Sequence, residues 1–168
     1  HCIPYLGKVI IVINSTNVYK IIIHPLTKEA AIEVALNLRE DDRREVVEGH
    51  GKHPLSSAIA ASLQPNSVYF TVPNGRIAGM GGVAEGGLIW MLCTPAIHDY
   101  PILFARAAKR YLDSIDEPIL WNIVDKRNTV HIKLLKFLGF KFLRELTYGP
   151  NNITFIEFCK CVNPQQLY

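Results

Sequence analysis

The chain has 168 residues, of which 49% are hydrophobic and 20% are charged. This composition excludes a disordered tail and fits a single domain, because a chain of this length buries a sizeable apolar core. The formal net charge of +3 is too small to indicate nucleic-acid binding, and no apolar run approaches the roughly 18 residues of a membrane span.

Basic residues are concentrated in the second half of the chain. Residues 106–144 carry nine Lys/Arg and four Asp/Glu, whereas the remainder carries nine and eleven. This distribution fits either an anionic ligand or two solvated helix faces.

The four cysteines contain no CxxC pair, so no zinc site of that kind is expected. Reduced thiols in the cytoplasm are the simplest interpretation. His50 and His53 flank a glycine in one loop, but the sequence offers no third ligand beside them. We therefore expect no metal site.

The first part of the chain predicts one strand and two helices. Residues 1–17 are an extension of uncertain role, and residues 18–24 are rich in Ile, Val and Tyr, which is typical of a strand. Thr27 can cap a helix. The mixed charge run 39–45 is interpreted as a solvated helical face, and residues 55–63 form a short second helix.

The middle of the chain predicts an antiparallel meander. Residues 67–72 and 76–83 are strands around a Pro-Asn-Gly turn, and residues 88–93 are a third, buried strand. A helix over 99–114 follows, and then another buried strand over 119–124.

The last part of the chain predicts a helix and a closing hairpin. Asn128 is a good N-cap, and Gly139 is a typical helix end. Residues 140–146 and 153–158 are the last two strands, and residues 161–168 are a tail. The predicted fold class is therefore α+β: one domain over 18–160, with a mixed sheet of about six to seven strands flanked by helices.

This element order resembles that of the GNAT N-acetyltransferase superfamily. Asn128 and the segment Leu-Leu-Lys-Phe-Leu-Gly-Phe at 134–140 carry the resemblance. Over residues 38–46, 89–95 and 120–140 the chain is more narrowly similar to the GNAT-like proteins of T7-like podophages.

The resemblance implies an acetyl-CoA site between two parallel strands that splay apart. The strands would be 88–93 and 119–124, and the pyrophosphate would rest on the N–H groups of residues 94–99 at the start of the next helix. The implied cofactor-binding residues are Met91, Leu92, Cys93, Thr94, Ala96, Ile97, His98, Trp121, Asn122 and Asn128. Asn128 serves equally well as a plain helix cap.

An amine acceptor must lose a proton before it attacks the acetyl group, so the reaction needs a base. The candidates are Glu85, ahead of the first splayed strand, and His131, one turn into the late helix; His98 is a further option. The predicted function is transfer of an acetyl group to an amine on a small molecule or a protein. No membrane or nucleic-acid partner is expected.

Two departures from the superfamily pattern support an alternative. Residues 94–99 contain no Gly or Arg, and Leu135 stands where the superfamily often has the Tyr that protonates the leaving thiolate. The alternative is a catalytically inactive GNAT-fold protein that acts in phage virion assembly through protein partners, with a homodimer as one form. Either function places the chain in the cytoplasm, that of the host if a phage encodes it.

Overall fold

A seven-stranded mixed sheet forms the centre of the molecule in the computed structural model, which describes residues 19–161. The strand order is β1-β2-β3-β4-β5-β7-β6, and only β4 and β5 run parallel. The strands are β1 (Ile22–Pro25), β2 (Val68–Thr71), β3 (Ile77–Ala84), β4 (Leu88–Cys93), β5 (Ile119–Asp125), β6 (Lys141–Tyr148) and β7 (Ile153–Cys161).

Five α-helices within residues 19–161 flank the sheet. They are α1 (Lys28–Leu36), α2 (Glu40–Arg44), α3 (Pro54–Ser62), α4 (Pro101–Asp113) and α5 (Thr129–Phe137). A π-helical turn over Glu45–Gly49 continues α2, and a 3₁₀ helix over Pro95–Asp99 precedes α4. As predicted, Thr27 caps α1 and Asn128 caps α5, each accepting a backbone N–H with its side-chain oxygen.

The predicted fold class is confirmed, but the number of early helices was wrong. The sequence predicted two helices between β1 and β2, and the structure has three. Asn37 ends α1, because its amide N–H and its side chain bond the carbonyls of Val34 and Glu33. The charge run then starts a helix of its own.

Most element ends lie within a few residues of their predicted positions. β1 (Ile22–Pro25) includes only the last three residues of the predicted strand 18–24 and extends one residue past it, and β7 continues to Cys161, the first residue of the predicted tail. The predicted extension over 1–17, together with residues 18 and 162–168, lies outside the described residues. No helix within 19–161 has the length and apolar character needed to cross a bilayer.

The two faces of the sheet carry different helices. Trp90 and Met80 pack with α1 and α3 on one face, whereas Met91 and Phe104 pack in the cluster beneath α4 on the other. Because successive strand residues point to opposite faces, the neighbours Trp90 and Met91 mark the two sides of β4.

The β3–β4 turn contains a glycine that is sterically required. Gly86 and Gly87 both adopt φ of +81°. A Cβ at Gly87 would lie 1.9 Å from the carbonyl oxygen of Ile119, whereas a Cβ at Gly86 would meet nothing within 4 Å. The start of β5 therefore packs directly against the Gly87 backbone.

We expect Gly87→Ala to lower the free energy of unfolding by about 3 kcal/mol or more, through backbone strain plus the clash. Gly86→Ala is the matched control and should cost about 1 kcal/mol, because it adds strain alone. Urea denaturation of both variants measures the difference. Equal losses would contradict the close approach.

Candidate functional site

The centre of the site is a gap between the parallel strands β4 and β5. The strands pair at one position, Leu88 with Trp121, where the Trp121 amide donates to the Gly87 carbonyl at 3.0 Å. One residue further along, the Asn122 side chain bridges the strands by donating to the Ile89 carbonyl at 2.6 Å. Beyond that point no ladder joins them, and by strand alternation the Met91 backbone faces the gap.

A cavity of about 720 Å³ occupies this gap. Its lining includes Ala60, Ala61 and Trp90 from the α3 side of the sheet, and Phe104 and Leu134 from the α4–α5 side. The cavity therefore runs through the sheet from one face to the other. Two molecules that approach from opposite faces can meet inside it.

A buried polar network closes the end of the gap near Cys93. The Asp42 carboxylate accepts from Arg39 Nε at 3.0 Å, from Asn128 Nδ2 at 3.1 Å and from the Cys93 amide at 3.0 Å. Arg39 also donates to Asn128 Oδ1 at 3.0 Å, and its own amide bonds the Cys93 carbonyl at 2.9 Å. The network joins α2, β4 and the start of α5.

The prediction that the run 39–45 is solvated was wrong for the two residues that matter most here. Arg39 and Asp42 are only 5% and 2% exposed. It was correct for Glu40 and Arg43, which form an exposed ion pair. The only sequence signal was the three-residue spacing of Arg39 and Asp42, which puts them on one helical face.

Glu45 lies in the π-helical turn that continues α2, and it lines the cavity. Of the acidic side chains in the cavity wall, it has the most strongly shifted pKa. Burial raises the pKa of Glu45 to about 7, opposed by a hydrogen bond from Asn128 and reinforced by the charge of Asp42. Asn128 Nδ2 donates to Glu45 Oε2 at 3.1 Å. The carboxyl group can therefore both hold and release a proton near neutral pH.

His131 stands beside this carboxyl group and also lines the cavity. Burial lowers the pKa of His131, although the charge of Asp42 opposes the shift. The imidazole is therefore neutral at pH 7.

Oxygen and nitrogen atoms of Asp42, Glu45 and His131 lie within 4.8 Å of one another, which is close enough to surround a cation. The Asp42 carboxylate, however, already accepts four hydrogen bonds, two of them from the Arg39 guanidinium. Those bonds use its lone pairs and neutralise its charge. The donor set thus suits proton transfer better than metal binding.

The structure places the predicted cofactor residues in three groups. Met91, Leu92, Trp121 and Asn122 line the main cavity. Cys93, Ile97 and His98 line a second cavity of about 240 Å³ beside the start of α4, together with Lys133. Asn128, Thr94 and Ala96 are buried.

The two predicted bases are in different environments. His131 lines both cavities, whereas Glu85 is exposed in the β3–β4 turn and lines neither. That turn lies at the paired end of β4, away from the network.

Several polar groups of the predicted phosphate loop, residues 94–99, already have hydrogen-bond or ion-pair partners within the protein. Thr94 Oγ1 accepts the Ala96 amide at 3.3 Å, and the Ile97 amide bonds the Thr94 carbonyl at 3.3 Å. Asp99 pairs with Arg76 at 3.2 Å. Two positively charged side chains line the second cavity instead: Lys133 on α5, and Arg39, whose charge is balanced by Asp42.

Comparison with solved structures gives consistent neighbours. A GNAT-family acetyltransferase from Bacillus anthracis superposes with a TM-score of 0.65 at 9% identity, over 85% of this chain and 95% of that chain. The spermidine N-acetyltransferase from Vibrio cholerae, solved with CoA and spermine, gives 0.61 at 10% identity, over 84% and 95%. Salmonella typhimurium yncA, solved with its cofactor acetyl-CoA, gives 0.61 at 12% identity, over 86% and 95%.

The sequence itself matches no family model and no curated protein. At these low identities the likeness concerns the fold alone. The seven-stranded sheet and its flanking helices are those of the GNAT acetyltransferase fold.

Proposed function

We propose that the protein is an N-acetyltransferase that moves an acetyl group from acetyl-CoA to an amine. The observation that carries this proposal is the cavity through the β4–β5 gap, with Glu45 in its wall. The neighbours solved with acetyl-CoA, or with CoA and spermine, support the same pair of reactants. Acetyl-CoA would approach from the α4–α5 face and the amine from the α3 face.

The residues of the gap fit the acyl arm of this cofactor. The backbone amide and carbonyl of Met91 face the gap and offer one donor and one acceptor, while Phe104 and Leu134 give an apolar wall. Cys93 is not available for this role, since Asp42 and Arg39 hold its amide and carbonyl. When bound, acetyl-CoA supplies the acetyl group as a thioester.

The phosphate end of the cofactor would be held by side-chain charge more than by the loop. Lys133 lines the second cavity beside the start of α4, where His98 also lies. The first residue of α4 is Pro101, which has no N–H, but the next two residues present free amides at the positive end of the helix.

Glu45 is the base in this mechanism, in place of Glu85. An alkylamine is protonated at neutral pH, and its nitrogen becomes a nucleophile only after it gives up a proton. A carboxylate whose pKa is about 7 would accept that proton and pass it to water. As the new C–N bond forms and the thioester C–S bond breaks, the CoA sulfur would leave as a thiolate and take up the second proton of the amine. The neutral His131 is a second proton acceptor within reach of the same carboxyl group.

A second candidate function rests on the closure of the gap near Cys93. Both main-chain groups of Cys93 are taken by α2, and Leu135, at the position of the absent tyrosine, is buried in the core. These features favour a GNAT-fold protein without catalysis. The assembly role, phage protein partners and a homodimer remain predictions of that candidate.

Calorimetric titration with acetyl-CoA tests the proposed function. We expect micromolar binding by the wild-type protein. Lys133→Glu should weaken it about tenfold by reversing the charge beside the phosphates. Lys136→Glu, at an exposed position of the same helix that lies in neither cavity wall, is the matched control and should bind normally. No heat at millimolar acetyl-CoA would favour the non-catalytic candidate.

A further inference from the structure

We infer that the acceptor is a primary monoamine carried on an apolar body the size of an aromatic ring, and not a polyamine. This inference rests on the proposed function, because it assigns the α3 side of the cavity to the acceptor.

The walls on the α3 side are mostly apolar and leave room for a ring. Ser57, Ala60 and Ala61 are the residues of α3 that line the cavity, with Gln64 just beyond the helix, and the short side chains of the three helix residues leave space that longer ones would fill. The opposing walls carry large apolar or aromatic side chains: Val46, Trp90, Trp121, Ile123, Leu146 and Tyr148. The Trp121 ring is fixed, since its Nε1 donates to the Gly86 carbonyl at 3.0 Å. Such a surface binds an apolar body by removing it from water.

The charges along the cavity allow for one ammonium group. Among the described residues, Glu45 and Glu157 are the acidic side chains that line it. Glu157 is opposed by Arg144 at 3.5 Å, which leaves Glu45 to receive a cation. A second or third ammonium of a polyamine would find no free carboxylate.

The basic residues that line the cavity also disfavour a polyamine. Lys52 is exposed at the rim of the cavity and repels a cation that extends outward from Glu45. His50 packs edge-on against Tyr148 at 5.1 Å between ring centroids, and burial lowers its pKa, so it adds aromatic surface without charge. The outer part of the pocket therefore selects against a polycation.

The two tryptophans of the chain make the inference testable without catalysis. Trp90 and Trp121 are its only tryptophans, and both line the cavity. We would titrate the full chain at pH 8 with 2-phenylethylamine, and separately with spermidine, and follow tryptophan fluorescence. A saturable change with 2-phenylethylamine at concentrations at least about tenfold lower than with spermidine is the expected result.

Two variants with matched controls locate the binding. Ala61→Phe fills the pocket and should weaken 2-phenylethylamine binding about tenfold or more, whereas Ile59→Phe, on the same helix but outside the lining, should leave it within about twofold. Lys52→Glu, at an exposed position, should strengthen spermidine binding about tenfold. Lys28→Glu, exposed on α1 and outside the lining, should not.

The outcomes separate this inference from the proposed function. Spermidine binding as tight as that of 2-phenylethylamine, or no saturable change with the monoamine at millimolar concentration, overturns the acceptor class. Failure to bind acetyl-CoA in the separate calorimetric titration overturns acetyl transfer whatever the amines do.

Discussion

Replacing Glu45 by glutamine is expected to lower kcat/KM for amine acetylation by about 10²–10⁴-fold, the usual contribution of a positioned base. Glutamine keeps the size of the side chain and can still accept the hydrogen bond from Asn128, but it cannot take a proton from the amine. Wild-type kcat/KM should fall as the pH drops below about 7, because the base then becomes protonated. Stopped-assay rates between pH 5.5 and 8.5 measure both effects.

The same variant changes the pH dependence of stability, which can be measured without any substrate. The folded-state pKa of Glu45 is raised from 4.5 to about 7, so the folded protein holds this proton more tightly than the unfolded chain. The resulting stabilisation is present in full below the unfolded pKa and is lost as the pH rises through 7. The free energy of unfolding of Glu45→Gln, relative to wild type, should therefore rise by about 3 kcal/mol between pH 4.5 and 8.

Glu48→Gln is the matched control for both measurements. Glu48 lies in the same turn and faces Arg127 at 3.4 Å, and its side chain is 44% exposed. Its replacement should leave the rate within about twofold and the pH profiles unchanged. A Glu45→Gln protein with wild-type rates and an unchanged stability profile would remove Glu45 from the mechanism.

Asp42→Ala is expected to lower the free energy of unfolding by about 3–5 kcal/mol. The substitution leaves the Arg39 guanidinium buried without its counter-ion. It also removes the acceptor of the Cys93 amide and of Asn128 Nδ2. Guanidinium denaturation, followed by tryptophan fluorescence, measures the loss.

Asp41→Ala is the control that separates the effect of burial from the loss of an ion pair. Asp41 pairs with Arg44 in the same short helix, but both side chains are partly exposed. An ion pair of that kind contributes less than about 1 kcal/mol, because water screens it. If the Asp42 and Asp41 variants lost the same small amount, the buried network would not be what holds α2 against β4.

Local sequence patterns predicted most of the strands and the late helices. Strands with few polar residues, such as β4 and β5, can be predicted from the sequence because they lie in the middle of the sheet, and Gly139 after a periodic segment marks a helix end. The sequence patterns did not predict the break between α1 and α2. Asn37 ends the helix through hydrogen bonds that depend on the conformation of the preceding turn.

The candidate site could be predicted only in part. The strands that frame the gap followed from the resemblance, and His131 does line the cavity. Glu45 was missed, because nothing local separates it from the other acidic residues of a charged run. Burial in the folded protein raises the pKa of Glu45 and the charge of Asp42 adds to the rise, although the hydrogen bond from Asn128, 83 residues away in the sequence, opposes it. Such an effect exists only once the chain has folded.

The single ladder position between β4 and β5 has a mechanical consequence. The sheet consists of two halves, β1–β4 and β5–β7, and Leu88 with Trp121 is the one ladder pair between them. Every other strand pairing lies within one half. At the far end of the gap, Asp42 of α2 accepts hydrogen bonds from the Cys93 amide of β4 and from the side chain of Asn128, which follows β5. Side-chain hydrogen bonds, and not a backbone ladder, therefore set the separation of the two halves at that end.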